Sequence, residues 1–333
     1  MQLRRVKILG TGKYLPGRIV TDEELDERLG VPPGWVHKAT GVGVRHFAAE
    51  GETASQMGAR AAEAALADAG LSFADIDCLV CTSGTKEQPL PSTAVFIQKA
   101  MGQGESGVPA FDIDSTCLSF LVGLDVMSYM VDAGRYRNVL LVATEIASAG
   151  LNWKDKESAA LFGDGAAAVV IGPSGTDESS QIVHTSLHTY GKGAHYSEIP
   201  GGGTKYPPGQ QNIPVKDPFL FHMDGQGIFR MASRLLPDFI AGLLKQSGTA
   251  MKDFGVVIPH QGSAMAMRLL RKKLGISESQ FMNITPNHGN TIAASIPMGL
   301  HEAIRQQRIR RGERMLLIGT AAGLSLGGMV IDY

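Results

Sequence analysis

The sequence has little excess charge of either sign: 31 Lys and Arg stand against 32 Asp and Glu, a formal net charge of −1. Such a chain projects no long-range field toward nucleic acid or an anionic membrane, so any cationic patch must be local. Long apolar runs are also missing. A membrane helix needs about 20 consecutive apolar residues, and runs such as 139–143 and 166–171 fall far short, so no membrane insertion is expected. Three cysteines are too few for a disulfide framework, which points to a reducing cytoplasm. The basic start, Met1-Gln2-Leu3-Arg4-Arg5, precedes only a short apolar stretch at 6–9, which reads as a first β-strand rather than the core of a secretory signal. No Gly-x-x-x-x-Gly-Lys-Ser/Thr loop and no His/Cys cluster with zinc spacing occurs. Gly10-Thr11-Gly12 lacks the third glycine of a dinucleotide loop, and Pro16 stands where its helix should start. Neither a nicotinamide cofactor nor a metal is expected.

What the chain does have is length and apolar content: 333 residues, 44% hydrophobic, enough for two domains or one large duplicated unit. Helical and strand patterns alternate throughout, which predicts α/β architecture. In the first half, helices are expected over 54–69, 91–101 and 117–133, and strands over 76–82, 110–114, 139–143 and 166–171. After Gly172-Pro173-Ser174-Gly175 the order returns: helices over 228–246 and 292–306, strands over 256–259, 281–284, 315–318 and 328–331. Leu140-Leu141-Val142-Ala143-Thr144 has a counterpart in Leu316-Leu317-Ile318-Gly319-Thr320, and Asp77-Cys78-Leu79-Val80 in Phe254-Gly255-Val256-Val257. The reading is a duplication, with halves 1–174 and 175–333. Between their strands, residues 188–227 are rich in Gly and Pro and form a long irregular excursion, of the kind that lines active sites or merely decorates a surface.

Chemistry concentrates at three segments. Cys78 and Cys81 lie three apart in a strand, so their side chains face opposite ways and share neither a metal nor a disulfide. Cys117, in Asp114-Ser115-Thr116-Cys117-Leu118, falls where a strand gives way to a helix, a place that favours a thiolate and can aim the Cys117 amide at an oxyanion. His260 follows the strand at 256–259, and Asn290 lies in Asn287-His288-Gly289-Asn290-Thr291, again between strand and helix. Both are strand ends of the second half, where α/β folds place active sites. His260 offers proton exchange or a hydrogen bond, Asn290 a neutral donor. His288, adjacent to Asn290, could compete with His260, but for it and the other histidines the default reading is a solvated loop side chain.

Together these segments resemble the 3-oxoacyl-[acyl-carrier-protein] synthase III family of thiolase-fold condensing enzymes. The shared features are Gly10-Thr11-Gly12-Lys13-Tyr14-Leu15-Pro16, Trp35 with Thr40-Gly41-Val42, the Cys117 turn, Phe162-Gly163-Asp164-Gly165-Ala166, Pro259-His260-Gln261, and Gly289-Asn290-Thr291 with Ala293-Ala294-Ser295-Ile296-Pro297. The resemblance implies a thiolase-like, five-layered αβαβα fold from two halves, a homodimer, and a Cys117–His260–Asn290 triad. It implies acyl-CoA as substrate, with no cofactor, acylating Cys117. A malonyl thioester on acyl carrier protein or coenzyme A (malonyl-ACP or malonyl-CoA) then condenses with loss of carbon dioxide. The backbone amides of Cys117 and Ala322 would hold the oxyanion. Trp35 and Lys156 match positions that contact the coenzyme A nucleotide; Phe162 and Leu90 match acyl-pocket positions, Leu90 being donated across the dimer. Ala39 and Met265 stand where the family has arginines, Ser263 replaces an asparagine, Ser119 a glycine, and Ala321-Ala322-Gly323 a triple glycine. The changed acceptor positions leave two further readings, acyl transfer to an alcohol or amine and thioester hydrolysis.

Overall fold

The computed structural model describes residues 3–333. Among them, nine strands build the two principal sheets: β1 (Val6–Tyr14), β2 (Cys78–Cys81), β3 (Ala110–Asp112), β4 (Val139–Glu145), β5 (Gly165–Pro173), β6 (Gln181–Thr189), β7 (Val256–Pro259), β8 (Arg314–Ala321) and β9 (Ser325–Asp332). The first sheet runs β1-β5-β4-β2-β3 and the second β6-β9-β8-β7. Directions repeat as well as order. β4 is parallel to β2 and antiparallel to β5, as β8 is parallel to β7 and antiparallel to β9. β3 has no full counterpart; its place is taken by one parallel bridge between Val257 and Phe281, so the strand expected over 281–284 does not form.

Both faces of the central strands are buried, which explains their unbroken apolar runs. Val139, Leu141 and Ala143 of β4 and Met315 and Leu317 of β8 turn inward onto the helices Ser119–Asp132 and Ser295–Arg305, which lie between the sheets. Leu140 and Val142 turn outward onto the helix Ala54–Ala69, and Leu316 and Ile318 onto the helix Gly225–Ser247. The result is five layers, αβαβα. Each fully buried Leu or Val contributes about 1.5–3 kcal/mol, so these layers carry most of the stability. Cys78 belongs to the inner core and Cys81 to the outer one, on opposite faces of β2.

Four expectations are corrected. The first strand does not end at residue 9: Gly10-Thr11-Gly12 lies within β1, where a Cβ on Gly12 would fall 2.2 Å from the Ala61 carbonyl oxygen. The glycines admit the Ala-rich helix to the strand backbone. Register pairs Leu79 with Leu140 and Val257 with Leu316, which equates Leu79 with Val257 rather than Val256. A slip of one residue exchanges faces, and runs buried on both faces carry no alternation to reveal it. The helices expected from 117 and 292 each begin instead with a single 3-10 turn, Thr116–Leu118 and Ile292–Ala294. His288 is buried, not solvated: its Nδ1 lies 3.0 Å from the Ile284 carbonyl and its Nε2 3.1 Å from Lys13 Nζ. An ammonium can only donate, so Nε2 accepts and Nδ1 carries the proton.

The excursion 188–227 contains a 3-10 turn, Gly191–Tyr196, and a short pair of strands, Ser197–Glu198 with His222–Met223. It returns Phe221 onto Phe162, with ring centroids 5.3 Å apart at 81°. No helix among the described residues is long and apolar enough to cross a membrane.

Candidate active site

Cys117 occupies the middle of the turn Thr116–Leu118 at the end of the first sheet, one step ahead of the helix Ser119–Asp132. Thr116 holds φ at 49°, a left-handed conformation that costs a β-branched residue about 1–3 kcal/mol. Ser119 steadies the turn: its hydroxyl accepts the Ser115 N–H at 2.8 Å and donates to the Thr116 carbonyl at 2.7 Å. The backbone amides of Ala322 and of Cys117 itself favour the charged form of the sulfur.

His260 begins where β7 ends. A Cβ on Gly319 of β8 would lie 2.8 Å from His260 Cβ and 3.0 Å from Leu118, so the histidine and the cysteine turn meet across that glycine. Asn290 is set by the segment ahead of β5: it forms an isolated parallel bridge with Phe162, with Gly163 N–H to Asn290 O at 3.1 Å and Asn290 N–H to Leu161 O at 3.0 Å. Only glycine permits this crossing, because a Cβ on Gly163 would sit 2.2 Å from the His288 carbonyl oxygen. Asn290 Oδ1 accepts the Ile292 N–H at 2.9 Å, which leaves Nδ2 as the donor end. Ile292 in turn holds φ at 50°. A Cβ on Gly84 would lie 2.8 Å from Ile292 Cγ2 and 3.2 Å from the Thr116 carbonyl, so the two strained turns face each other over Gly84.

Electrostatics overturn one expectation. Burial pushes the Cys117 thiol up to about 12, assisted by the nearby Glu145 carboxyl, and the Ala322 and Cys117 amides offset this only in part. Cys117 is therefore a thiol at neutral pH, not a thiolate stabilised by a helix N-terminus; the 3-10 turn packs the half-buried residue against the inner core. Burial pushes His260 down to about 4, so its imidazole is neutral at pH 7. Glu145, fully buried, accepts from Gly84 N at 2.6 Å, Thr85 N at 2.9 Å and Thr85 Oγ1 at 2.5 Å, yet burial still raises its carboxyl to about 8.

The remaining predicted residues spread outward from this centre. Phe162 is buried against Phe221. Trp35 opens the helix Trp35–Thr40 and packs on the same apolar cluster as Phe162 and Ile292. Lys156 opens the one-turn helix Lys156–Ala159 with its Nζ 3.4 Å from the Gly30 carbonyl. Leu90 does not join the site within the chain; it is 81% exposed.

Residues 111–191 match the family described as 3-oxoacyl-[acyl-carrier-protein (ACP)] synthase III, and residues 244–333 match its C-terminal family. The beta-ketoacyl-[acyl-carrier-protein] synthase III of Acidiphilium cryptum (strain JF-5) is 36% identical over 331 residues, covering 99% of this chain and 100% of the relative. The chain belongs to the synthase III family. It is a condensing acyltransferase with the thiolase-like fold. The crystal structure of the synthase III of Aquifex aeolicus VF5 superposes with a TM-score of 0.88 at 30% identity, covering 98% of this chain and 100% of that one. The priming β-ketosynthase of the R1128 polyketide pathway gives 0.87 at 29% identity, covering 98% and 96%.

Against that family, the departures acquire structural readings. Ser119, in place of a glycine, supplies the hydroxyl that ties the nucleophile's turn. Ser263 caps the helix Ala264–Lys273 by accepting the Ala266 N–H at 3.3 Å. Met265 is 60% exposed, and Ala39 is exposed on its helix. Sequence reasoning missed Arg28, whose guanidinium stacks 3.4 Å over Trp153 near Trp35 and Lys156. It also missed Gln261, whose buried amide bonds Pro259 O, Met282 O, Ile284 N and Thr285 N, taking the place of the absent strand. Glu145 and Ser295 were missed as well; for Ser295 a signal existed, since it falls 176 positions after Ser119, the offset that relates Leu140 to Leu316.

Proposed function

We propose that Cys117 carries the acyl group and that His260 and Asn290 govern the condensation. In acylation the Cys117 S–H bond breaks, sulfur attacks the thioester carbonyl of acyl-CoA, and coenzyme A leaves as its thiol; neutral His260 receives the proton and returns it to the departing sulfur. The amides of Cys117 and Ala322 receive the oxyanion. A malonyl thioester then enters. Its C–CO2 bond breaks, carbon dioxide leaves, and His260 and the Nδ2 of Asn290 hold the enolate oxygen while its carbon attacks the acyl-enzyme. Cys117 thiolate departs and is reprotonated. The observation that carries this reading is that the turn bearing Cys117, through Leu118, and His260 pack on either side of Gly319.

Trp35, Lys156 and Arg28 form the mouth for the coenzyme A nucleotide, with Arg28 supplying a cation near a place where Ala39 supplies none. Phe162 and Phe221 bound the acyl chain. Malonyl-ACP or malonyl-CoA is the acceptor, with acyl carrier protein as the delivering partner, in the cytoplasm. The exposed Leu90 and the edge strand β3, where Phe111 is 37% exposed, support a homodimer. The halves divide at 174/175, between β5 and β6.

Incubation with a panel of acyl-CoA thioesters, followed by intact-protein mass spectrometry, should add one acyl mass to Cys117. A malonyl chase should release carbon dioxide and a β-keto product. No adduct at any chain length would end this reading, and turnover onto alcohols or amines without malonyl dependence would replace it. Light scattering should give twice the chain mass.

A further inference from the structure

Ser295 opens the inner helix Ser295–Arg305 and is fully buried. Its Oγ lies 2.7 Å from His260 Nδ1, 2.8 Å from the Ile292 carbonyl oxygen and 3.4 Å from the Gln261 N–H. The Gln261 amide can only donate and the Ile292 carbonyl only accept, so two of the three neighbours have fixed roles. The hydroxyl has one proton and two acceptors for it. Turned to Ile292, it accepts Nδ1–H from His260, and Nε2 faces the site as a lone pair. Turned to His260, it donates to Nδ1, and Nε2 then carries the hydrogen.

We propose that Ser295 is the positioning residue that sets the His260 tautomer, each orientation of its hydroxyl matching one of the two roles the histidine plays. Acylation uses the lone-pair form, since Nε2 must take the Cys117 proton. Condensation uses the hydrogen-bearing form, since Nε2 must donate to the enolate oxygen. A neutral imidazole cannot do both from one tautomer. The ring is half-buried, and its Nδ1 is hydrogen-bonded to the fully buried Ser295 hydroxyl.

This inference rests on the proposed triad, and its test separates the two. The tautomer is read without turnover, by ¹⁵N resonances of the imidazoles, with His260 assigned by comparison to His260→Asn. In the wild type, Ser295→Ala should shift the His260 nitrogens. It should also lower the rate of malonyl decarboxylation by about 10-fold or more while the KM for acyl-CoA stays within about twofold. In a His260→Ala background, Ser295→Ala should have no further effect on decarboxylation, because Ser295 acts only through the ring. Unchanged nitrogen resonances, or an equal loss of rate with and without His260, would overturn the inference. Ser295→Cys, which keeps a weak donor and acceptor, should recover part of the rate if Ser295→Ala proves unstable, and a cysteine variant no better than alanine in a folded protein would also overturn it. Failure of the triad reading appears separately, as absence of the acyl adduct on Cys117.

Discussion

Two turns of this molecule share one shape and do different work. Thr116–Leu118 leads into Ser119, and Ile292–Ala294 leads into Ser295. Both begin on a β-branched residue at positive φ, 49° and 50°. Both end on a serine whose hydroxyl donates back to the carbonyl three residues earlier, at 2.7 and 2.8 Å. In the first turn the residue after the strained one is Cys117; in the second it is Ala293. The second turn instead lends its serine to His260 and its first amide to Asn290. The same strained turn thus occurs twice, with Cys117 on one copy and, on the other, a serine beside His260 and an amide bonded to Asn290.

The largest effects should separate the two turns by reaction step. Cys117→Ala should abolish the acyl adduct outright in intact-mass measurements. Asn290→Ala should leave the adduct and lower malonyl-dependent turnover by about 10²–10³-fold, the usual consequence of removing one oxyanion donor; His260→Ala should lower turnover at least as much and, by removing the acceptor of the Cys117 proton, also slow formation of the adduct. If Asn290→Ala also prevented acylation at saturating acyl-CoA, the division of labour between the turns would be wrong.

A pH measurement comes next. His260 and His288 are both pushed down to about 4, against an ordinary value near 6.5. Between about pH 4 and 6.5 the unfolded chain binds protons that the folded chain refuses, so stability falls as pH drops through that window. Urea melts from pH 7 to pH 4.5 should show the loss, and His288→Gln should flatten the slope. On the basic side, the raised thiol predicts that alkylation of Cys117 by iodoacetamide keeps accelerating past pH 9 with no plateau.

Smaller effects probe the shared strain. Thr116→Gly should stabilise by about 1 kcal/mol, since glycine adopts that φ freely. Ile292→Gly relieves the same strain but removes a half-buried side chain, and should destabilise by about 1–2 kcal/mol. Ser119→Gly should cost about 1–3 kcal/mol through two lost hydrogen bonds. Chemical denaturation resolves all three; equal responses at 116 and 292 would show that side-chain packing does not distinguish the turns.

Much of this was legible in the chain itself. The helix at 54–69 was readable to the residue because a capping box at Thr53 and Gln56 and a left-handed Gly70 bound it locally. The strand at 256–259, the triad candidates and the repeated order of elements were also legible. What escaped depended on neighbours distant in sequence. The register of β7 escaped because both its faces are apolar. The strand expected over 281–284 gave way to the Gln261 amide, more than twenty residues upstream.

By itself, then, the sequence determined the layered α/β plan, through apolar periodicity and caps that act over a few residues, and it placed His260 at the end of a strand. Tertiary structure alone decided the chemical state of Cys117 and His260. Packing of the surrounding layers pushes the Cys117 thiol up to about 12 and the His260 imidazole down to about 4, so both are neutral at pH 7. Desolvation of that kind sums over the surrounding layers and appears in no local pattern.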